Sequence, residues 1–377
     1  MEDHRTPGQL IEALLVERGW SQRTLALVMG KGETTINKIV AAKQPLDPET
    51  ALLLEEVFDI PADKFLALQR AFDLGVARLA SKPDAGRSAR AHLFSSLPIS
   101  EMIKRGWLDA KDPRDISAVE SSLMKFFGET SPHEIEVLPH AARKTMVNAE
   151  PTPTQMAWLY RVQAIAGEML VCPFNIDGLR RAISDLKNLT SAPEEARKVP
   201  RILAECGVRF VVVESLSNAK IDGVCFWLNE KSPVIGLSLR FDRIDNFWFV
   251  LRHEIEHVLQ GHGRSAVILD AELEGENAGT SSNIPEEERM ANAAASEFCI
   301  PQKHMTAFID RKSPMFSDRD LIGFARSLGV HPGIVAGQLQ FRTKRYDIFR
   351  QHLAKVRNIV LSGAVVDGWG TVAPVGI

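Results

Sequence analysis

Cysteine is scarce in this chain: four residues in 377, at Cys172, Cys206, Cys225 and Cys299, with no two forming a CxxC pair. That scatter excludes a cysteine zinc ribbon and argues against a disulfide framework; it fits a reducing compartment, expected to be the cytoplasm. No apolar run approaches the roughly 20 residues that a membrane span needs. The opening MEDHRTPGQL lacks a basic segment followed by an apolar one, so neither a membrane partner nor a secretory leader is expected. Neither sign of charge is in excess: the net is −3, which excludes a global pull toward nucleic acid or anionic lipid. Tyrosine is almost missing, with Tyr160 and Tyr346 the two examples, and the sequence assigns neither a role. There is no internal repeat and no long low-complexity tract, which excludes a solenoid.

What is present is ordinary for a globular protein, at 45% hydrophobic and 25% charged residues. The length suffices for two or three domains. Residues 1–80 read as short helices in close succession. Leu10, Ile11, Leu14 and Leu15 recur at helical spacing and stop at Gly19, Ser21 caps the next helix, and a third spans about Thr34–Ala41. Pro45 and Pro48 bound a fourth, and a fifth begins near Pro61 and runs to about Leu79. A polar Pro- and Gly-containing linker is expected at 81–89. Residues 90–205 read as mainly helical, broken at Pro98, Pro113, Pro132, Pro139 and the Pro151–Pro153 stretch.

The pattern changes near Gly207. Arg209–Glu214, Gly223–Leu228 and Val234–Leu239 are β-branched or aromatic runs separated by polar turns, which predicts a small antiparallel sheet. Helical spacing returns in the segment Phe247–Leu259. Gly275–Asn283 reads as an exposed loop, and Pro285 opens a helix that Pro301 ends. Two final helices are expected at Asp318–Leu328 and His331–Arg342, and residues 363–377 have no clear pattern and are expected to form a tail.

Within the first of these late helices stands His253-Glu254-Ile255-Glu256-His257. Histidines four apart on a helix project from one face, one turn apart. Two imidazoles at that spacing grip one Zn²⁺, and the carboxylate after the first stands beside the water that attacks. Zinc acidifies water and polarises a carbonyl, and Glu254 is placed to take the water's proton and deliver it to a leaving amine. The expected chemistry is hydrolysis of a peptide bond. A tetrahedral catalytic site needs a third protein ligand. His262 is five residues past His257, and Gly261 four; the metzincin spacing is six and three, so His262 is expected to lie beside the site rather than on the metal. The run Glu286-Glu287-Glu288 opens the next helix. One of these acids is expected on zinc and the others in solvent, where acids also suit a helix start. Glu288, Asn292, Ala295 and Cys299 share a helical stripe whose small residues permit close approach; Cys299 is expected to pack there as a buried thiol.

The segment from Ser21 to Ile39 has helix-turn-helix form: a short helix, a turn through Met29-Gly30-Lys31-Gly32, and a second helix offering polar side chains. Thr34, Thr35, Asn37 and Lys38 are the candidates for base edges and phosphates, with Gln22 and Arg23 near the DNA backbone. The local charge opposes this weakly, because residues 1–80 carry nine Lys/Arg against twelve Asp/Glu. Clustering of Arg18, Arg23, Lys31, Lys38 and Lys43 offers a basic footprint. The competing expectation is a helical module that dimerises or docks a protein.

Two resemblances bear on these motifs. Thr6-Pro7-Gly8-Gln9-Leu10 through Gly19-Trp20-Ser21-Gln22, with Leu46-Asp47-Pro48-Glu49-Thr50-Ala51, resembles the Xre-type helix-turn-helix of HigA-like antitoxins. Phe249–His257 with Glu288-Arg289-Met290-Ala291-Asn292 and Ile300-Pro301 resembles the ImmA/IrrE metallopeptidase family, and His331–Gln340 is similar to that family's closing helix. The second resemblance implies a zincin-like domain at 206–362 with His253, His257 and Glu288 on zinc, and a protease that cleaves repressor-type proteins and relieves transcriptional repression. The first implies operator DNA as partner, or an antitoxin that binds a RelE/HigB-like toxin and represses its own operon, with a zincin-like domain that senses or scaffolds. A homodimer on a two-fold operator is expected. The fold expected is therefore α+β and mainly helical, with an N-terminal helix-turn-helix bundle, a helical middle region and a C-terminal zincin-like domain.

Overall fold

A computed structural model of the protein describes residues 4–82, 87, 91, 94–95, 97–129, 151–264, 267–271 and 285–375. Most of the expected linker, the prolines at 132 and 139, and the loop Gly275–Asn283 lie outside the described residues. The chain divides into two compact units, Met1–Gly86 and Arg87–Ile377.

The first unit is a bundle of five helices: α1 (Pro7–Arg18), α2 (Gln22–Met29), α3 (Glu33–Val40), α4 (Pro48–Phe58) and α5 (Ala62–Ala80). Their ends follow local chemistry. Thr6, Ser21 and Asp47 accept backbone N–H bonds at the starts of α1, α2 and α4, satisfying donors that a helix leaves unpaired. Left-handed glycines, Gly19 and Gly30, close α1 and α2. Leu10, Ile11, Leu25, Ile36, Ile39, Leu54 and Phe65 meet in one core. Burial of each such side chain contributes about 1.5–3 kcal/mol before entropy is counted.

The second unit is built on a five-stranded sheet in the order β4-β2-β3-β1-β5. Its strands are β1 (Arg209–Val213), β2 (Ile221–Trp227), β3 (Pro233–Leu237), β4 (Ile268–Ala271) and β5 (Val365–Asp367). The expectation of an antiparallel sheet holds on one side only: β2 runs antiparallel to β3 and β4, whereas β1 runs parallel to both β3 and β5. The reason is burial on both faces, which turns strands into near-continuous apolar runs such as Phe210-Val211-Val212-Val213 and removes the in–out alternation. Phe210, Val212, Cys225, Ile235 and Leu237 pack toward the helix Ile244–Gln260. Val211, Val213, Val224, Phe226 and Val234 pack toward the helix Pro153–Glu168 through Trp158, Val162 and Ile165. The sheet is thus the middle layer between two helices, and one of them carries the HExxH motif.

The stretch expected to be a patternless tail supplies β5. Its Asp367 is fully buried and accepts hydrogen bonds from Trp107 Nε1 at 2.6 Å, Arg161 Nε at 3.0 Å and the Ala373 backbone N–H at 3.0 Å. Arg161, buried on the helix Pro153–Glu168, also pairs with Asp367 through Nη2. Further helices at Ile176–Leu189, Gln302–Lys312, Asp318–Leu328 and Pro332–Thr343 enclose the other side of the HExxH helix through a common core with Phe247, Trp248 and Leu251. No helix among the described residues is long and apolar enough to cross a membrane.

Candidate metal centre and DNA-contact helix

The HExxH helix runs from Ile244 to Gln260 and ends at Gly261, which takes the left-handed conformation at φ 73°. It is buried on almost every face because the sheet lies under it and helices cover it. That burial places His253, Glu254 and His257 at 0% exposure. The two imidazoles face each other through Nε2 atoms 3.0 Å apart. The helix Glu286–Cys299 packs alongside, and Ala291 and Ala295, both fully buried, let the two backbones approach. From its first turn Glu288 reaches in, with Oε2 at 3.3 Å from His253 Nε2 and Oε1 at 3.5 Å from His257 Nε2.

Among the described residues, His253, His257 and Glu288 form a group whose ligand atoms all lie within 4.8 Å of one another. Two nitrogens each about 2.0–2.1 Å from a tetrahedral zinc sit roughly 3.3 Å apart, close to the spacing found here. Two imidazoles and one carboxylate are also the ligand types of catalytic rather than structural zinc. Burial, reinforced by the neighbouring His253, pushes the His257 imidazole down to about 3 despite the opposing pull of Glu288. The ring is therefore neutral, the form that donates a lone pair.

The acidic run separates as its local surroundings dictate. Glu286 turns outward to Arg289, Glu287 is part-exposed and stands 3.9 Å from His262 Nε2, and Glu288 alone of the three turns inward. Cys299 is buried in the hydrophobic core beside Phe298, Ile300 and Met305. His262 sits against the outer edge of His257, Nδ1 to Nδ1 at 3.0 Å, and away from the Nε2 atoms. Arg252 bonds Glu256 one turn along its own helix. Tyr160 packs edge-on to Phe127 on the far side of the sheet, and Tyr346 lines a separate cavity with Arg243 and Gln340.

Gly223 is a site residue that the sequence reading passes over. It lies in β2 where the pairing with β4 slips, and a Cβ built there would stand 2.0 Å from Glu254 Oε1. The strand omits a side chain at the place the Glu254 carboxylate occupies. A glycine inside an apolar strand run signals such an approach, but the signal does not say what approaches.

In the first unit, Ile36, Ile39 and Val40 turn α3 inward, and Thr34, Asn37 and Lys38 lie exposed on its other side, with Thr35 half-exposed. Arg23 is exposed and Gln22 half-exposed at the start of α2. Two of the five clustered cations are engaged within the bundle. Arg18 donates to the Val57 carbonyl and lies over Trp20 and Phe58, and Lys31 pairs with Glu49 at 2.7 Å. Arg23, Lys38 and Lys43 remain exposed.

Comparison with known families gives two matches. A helix-turn-helix family matches residues 11–65, from within α1 into α5. The IrrE N-terminal-like domain, a peptidase family designated M78, matches residues 207–340, which span β1 to β4 and both helices of the histidine–glutamate cluster. No curated protein matches the chain.

Proposed function

We propose that this chain, which joins a helix-turn-helix domain to an M78 peptidase-family domain, is a DNA-binding transcriptional regulator whose second domain is a zinc-dependent endopeptidase acting on a repressor-like protein. The observation that carries the proposal is the buried His253–His257–Glu288 cluster with Glu254 beside it. His253 and His257 would hold zinc through Nε2, and Glu288 through its carboxylate. Bound zinc supplies a Lewis acid and acidifies water. The chain's own groups do the rest. Glu254 accepts the proton of the attacking water and returns it to the departing amine. Gly223 leaves room for that carboxylate, and the apolar wall of the HExxH helix keeps the surroundings dry, which strengthens each charge interaction. On the DNA side, Thr34, Thr35, Asn37 and Lys38 of α3 meet the major groove and Gln22 and Arg23 the phosphates, in a homodimer on a two-fold operator. None of the four cysteines is in a disulfide, which supports a cytoplasmic regulator.

The test compares newly created protein N-termini in cells expressing the full chain or its Glu254→Gln variant. An internal terminus in a regulatory protein, made by the wild type alone, is expected. Wild-type chain that carries zinc and creates no such terminus would favour the other assignment, an autorepressing antitoxin that binds a RelE/HigB-like toxin. Wild-type chain that takes up no zinc would remove the metal assignment itself.

Two further results are expected. Gly223→Ala should push the Glu254 carboxylate aside. A misplacement of about 1 Å costs roughly 10²-fold in rate, so hydrolysis should fall by about that factor while zinc stoichiometry holds. A rate equal to wild type would mean that β2 yields instead. Lys38→Ala should weaken binding to a duplex selected from random sequence by the full chain, and lower the slope of log affinity against log salt by about 1. An unaltered slope would remove Lys38 from the phosphates.

A further inference from the structure

We infer that His262 is a positioning residue that fixes which nitrogen His257 presents to the metal. This assignment rests on the cluster holding a metal. His257 has two ring nitrogens with different neighbours. Its Nε2 faces His253 Nε2 at 3.0 Å and Glu288 Oε1 at 3.5 Å. Its Nδ1, on the opposite edge, lies 3.0 Å from His262 Nδ1. A ring-to-ring contact of that length is a hydrogen bond only when one nitrogen carries a proton and the other a lone pair.

The direction of the bond follows from the metal. A ligating Nε2 must offer its lone pair, so the His257 proton sits on Nδ1 and is donated to His262. The Nδ1 of His262 therefore accepts, and its own proton sits on Nε2. That nitrogen faces Glu287 Oε1 at 3.9 Å, longer than a direct hydrogen bond. An acid, an imidazole and the ligand imidazole thus stand in series, and the contact between the two rings is the one that sets the His257 tautomer. A partner of this kind orients a ligand ring and raises its basicity.

The backbone holds His262 in place from two directions. Gly261 turns the chain through its left-handed φ of 73°, and the His262 N–H then donates to the His257 carbonyl at 2.9 Å. The His262 carbonyl accepts from Trp227 Nε1, at the end of β2, at 2.8 Å. Trp227 is itself clamped, edge-on against Phe174 at 5.2 Å between ring centres and under the Arg264 guanidinium at 4.1 Å. The strand that makes room for Glu254 at Gly223 therefore also anchors the partner of His257. The general base and one metal ligand are set by the same piece of sheet.

The test is zinc affinity of the full chain, stripped of metal, reloaded, and titrated against a chromophoric chelator. His262→Phe keeps a planar ring and removes the acceptor. His262→Asn places an amide oxygen near the position of Nδ1 and restores it. His262→Phe should weaken zinc about 10- to 100-fold at an unchanged one zinc per chain, and His262→Asn should recover most of the loss. With Co²⁺ in place of zinc, the visible bands should shift for the Phe variant and return for the Asn variant. Zinc bound by His262→Phe as tightly as by wild type overturns the inference. So does equal weakening by Phe and Asn, since that marks lost packing rather than a lost acceptor. A wild-type chain that binds no zinc instead overturns the metal assignment on which the inference stands.

Discussion

Glu254→Gln should leave one zinc per chain and lower peptide hydrolysis by about 10²- to 10⁴-fold, the usual contribution of a positioned acid–base group. The substitution replaces one carboxylate oxygen by an amide nitrogen of nearly the same size. The side chain is fully buried, against a strand that leaves space for it at Gly223, so the variant fits where the acid did. The ligand atoms belong to His253, His257 and Glu288, and none of them is touched. What disappears is the lone pair that takes a proton from water. Metal stoichiometry and cleavage rate, measured on the same preparation, separate the two roles. A variant that cleaves at the wild-type rate would show that some other group carries the proton. A variant that loses zinc would show that Glu254 supports the ligand cluster.

The parts of this site legible in the sequence are those set by local periodicity. His253 and His257 are one helical turn apart wherever their helix forms, and that helix is assured by its apolar run and by Gly261 at its end. The inward turn of Glu288 follows a similar rule, because it shares a helical stripe with Asn292, Ala295 and Cys299, and small side chains mark where helices approach, Ala291 and Ala295 being the buried ones here. The helix-turn-helix bundle is legible for the same reason, its caps and apolar positions repeating over short distances. What the sequence hides is pairing between distant segments. The parallel neighbours of β1 come from β3 and from β5, more than 150 residues downstream of β1, and two valines followed by an aspartate at Val365–Asp367 are too few to announce a strand. Gly223 beside Glu254, and His262 behind His257, likewise depend on how the sheet meets the helix. No spacing along the chain encodes that.

Asp367→Ala is expected to destabilise the second unit by about 3–5 kcal/mol, the cost of leaving a buried charge without its partner. Arg161 would remain inside the protein, almost wholly buried, with the Ala373 carbonyl as a remaining acceptor. Trp107 Nε1 and the Ala373 N–H would lose their acceptor at the same time. Urea unfolding of the full chain, followed by tryptophan fluorescence, should show the loss as a lower midpoint for the transition of the second unit. The transition of the first unit serves as an internal reference, since Asp367 lies outside it. A second variant separates the charge from the packing. Replacing both partners, Arg161→Met with Asp367→Leu, removes the stranded charge and should recover a substantial part of the lost stability. If the single and double variants unfold together at the wild-type midpoint, the ion pair contributes nothing and β5 is held by the sheet alone. If they fall together, what matters is the shape of the buried pocket. Recovery in the double variant alone would mean that a charge placed far along the chain anchors β5 at the edge of the sheet on which the HExxH helix rests.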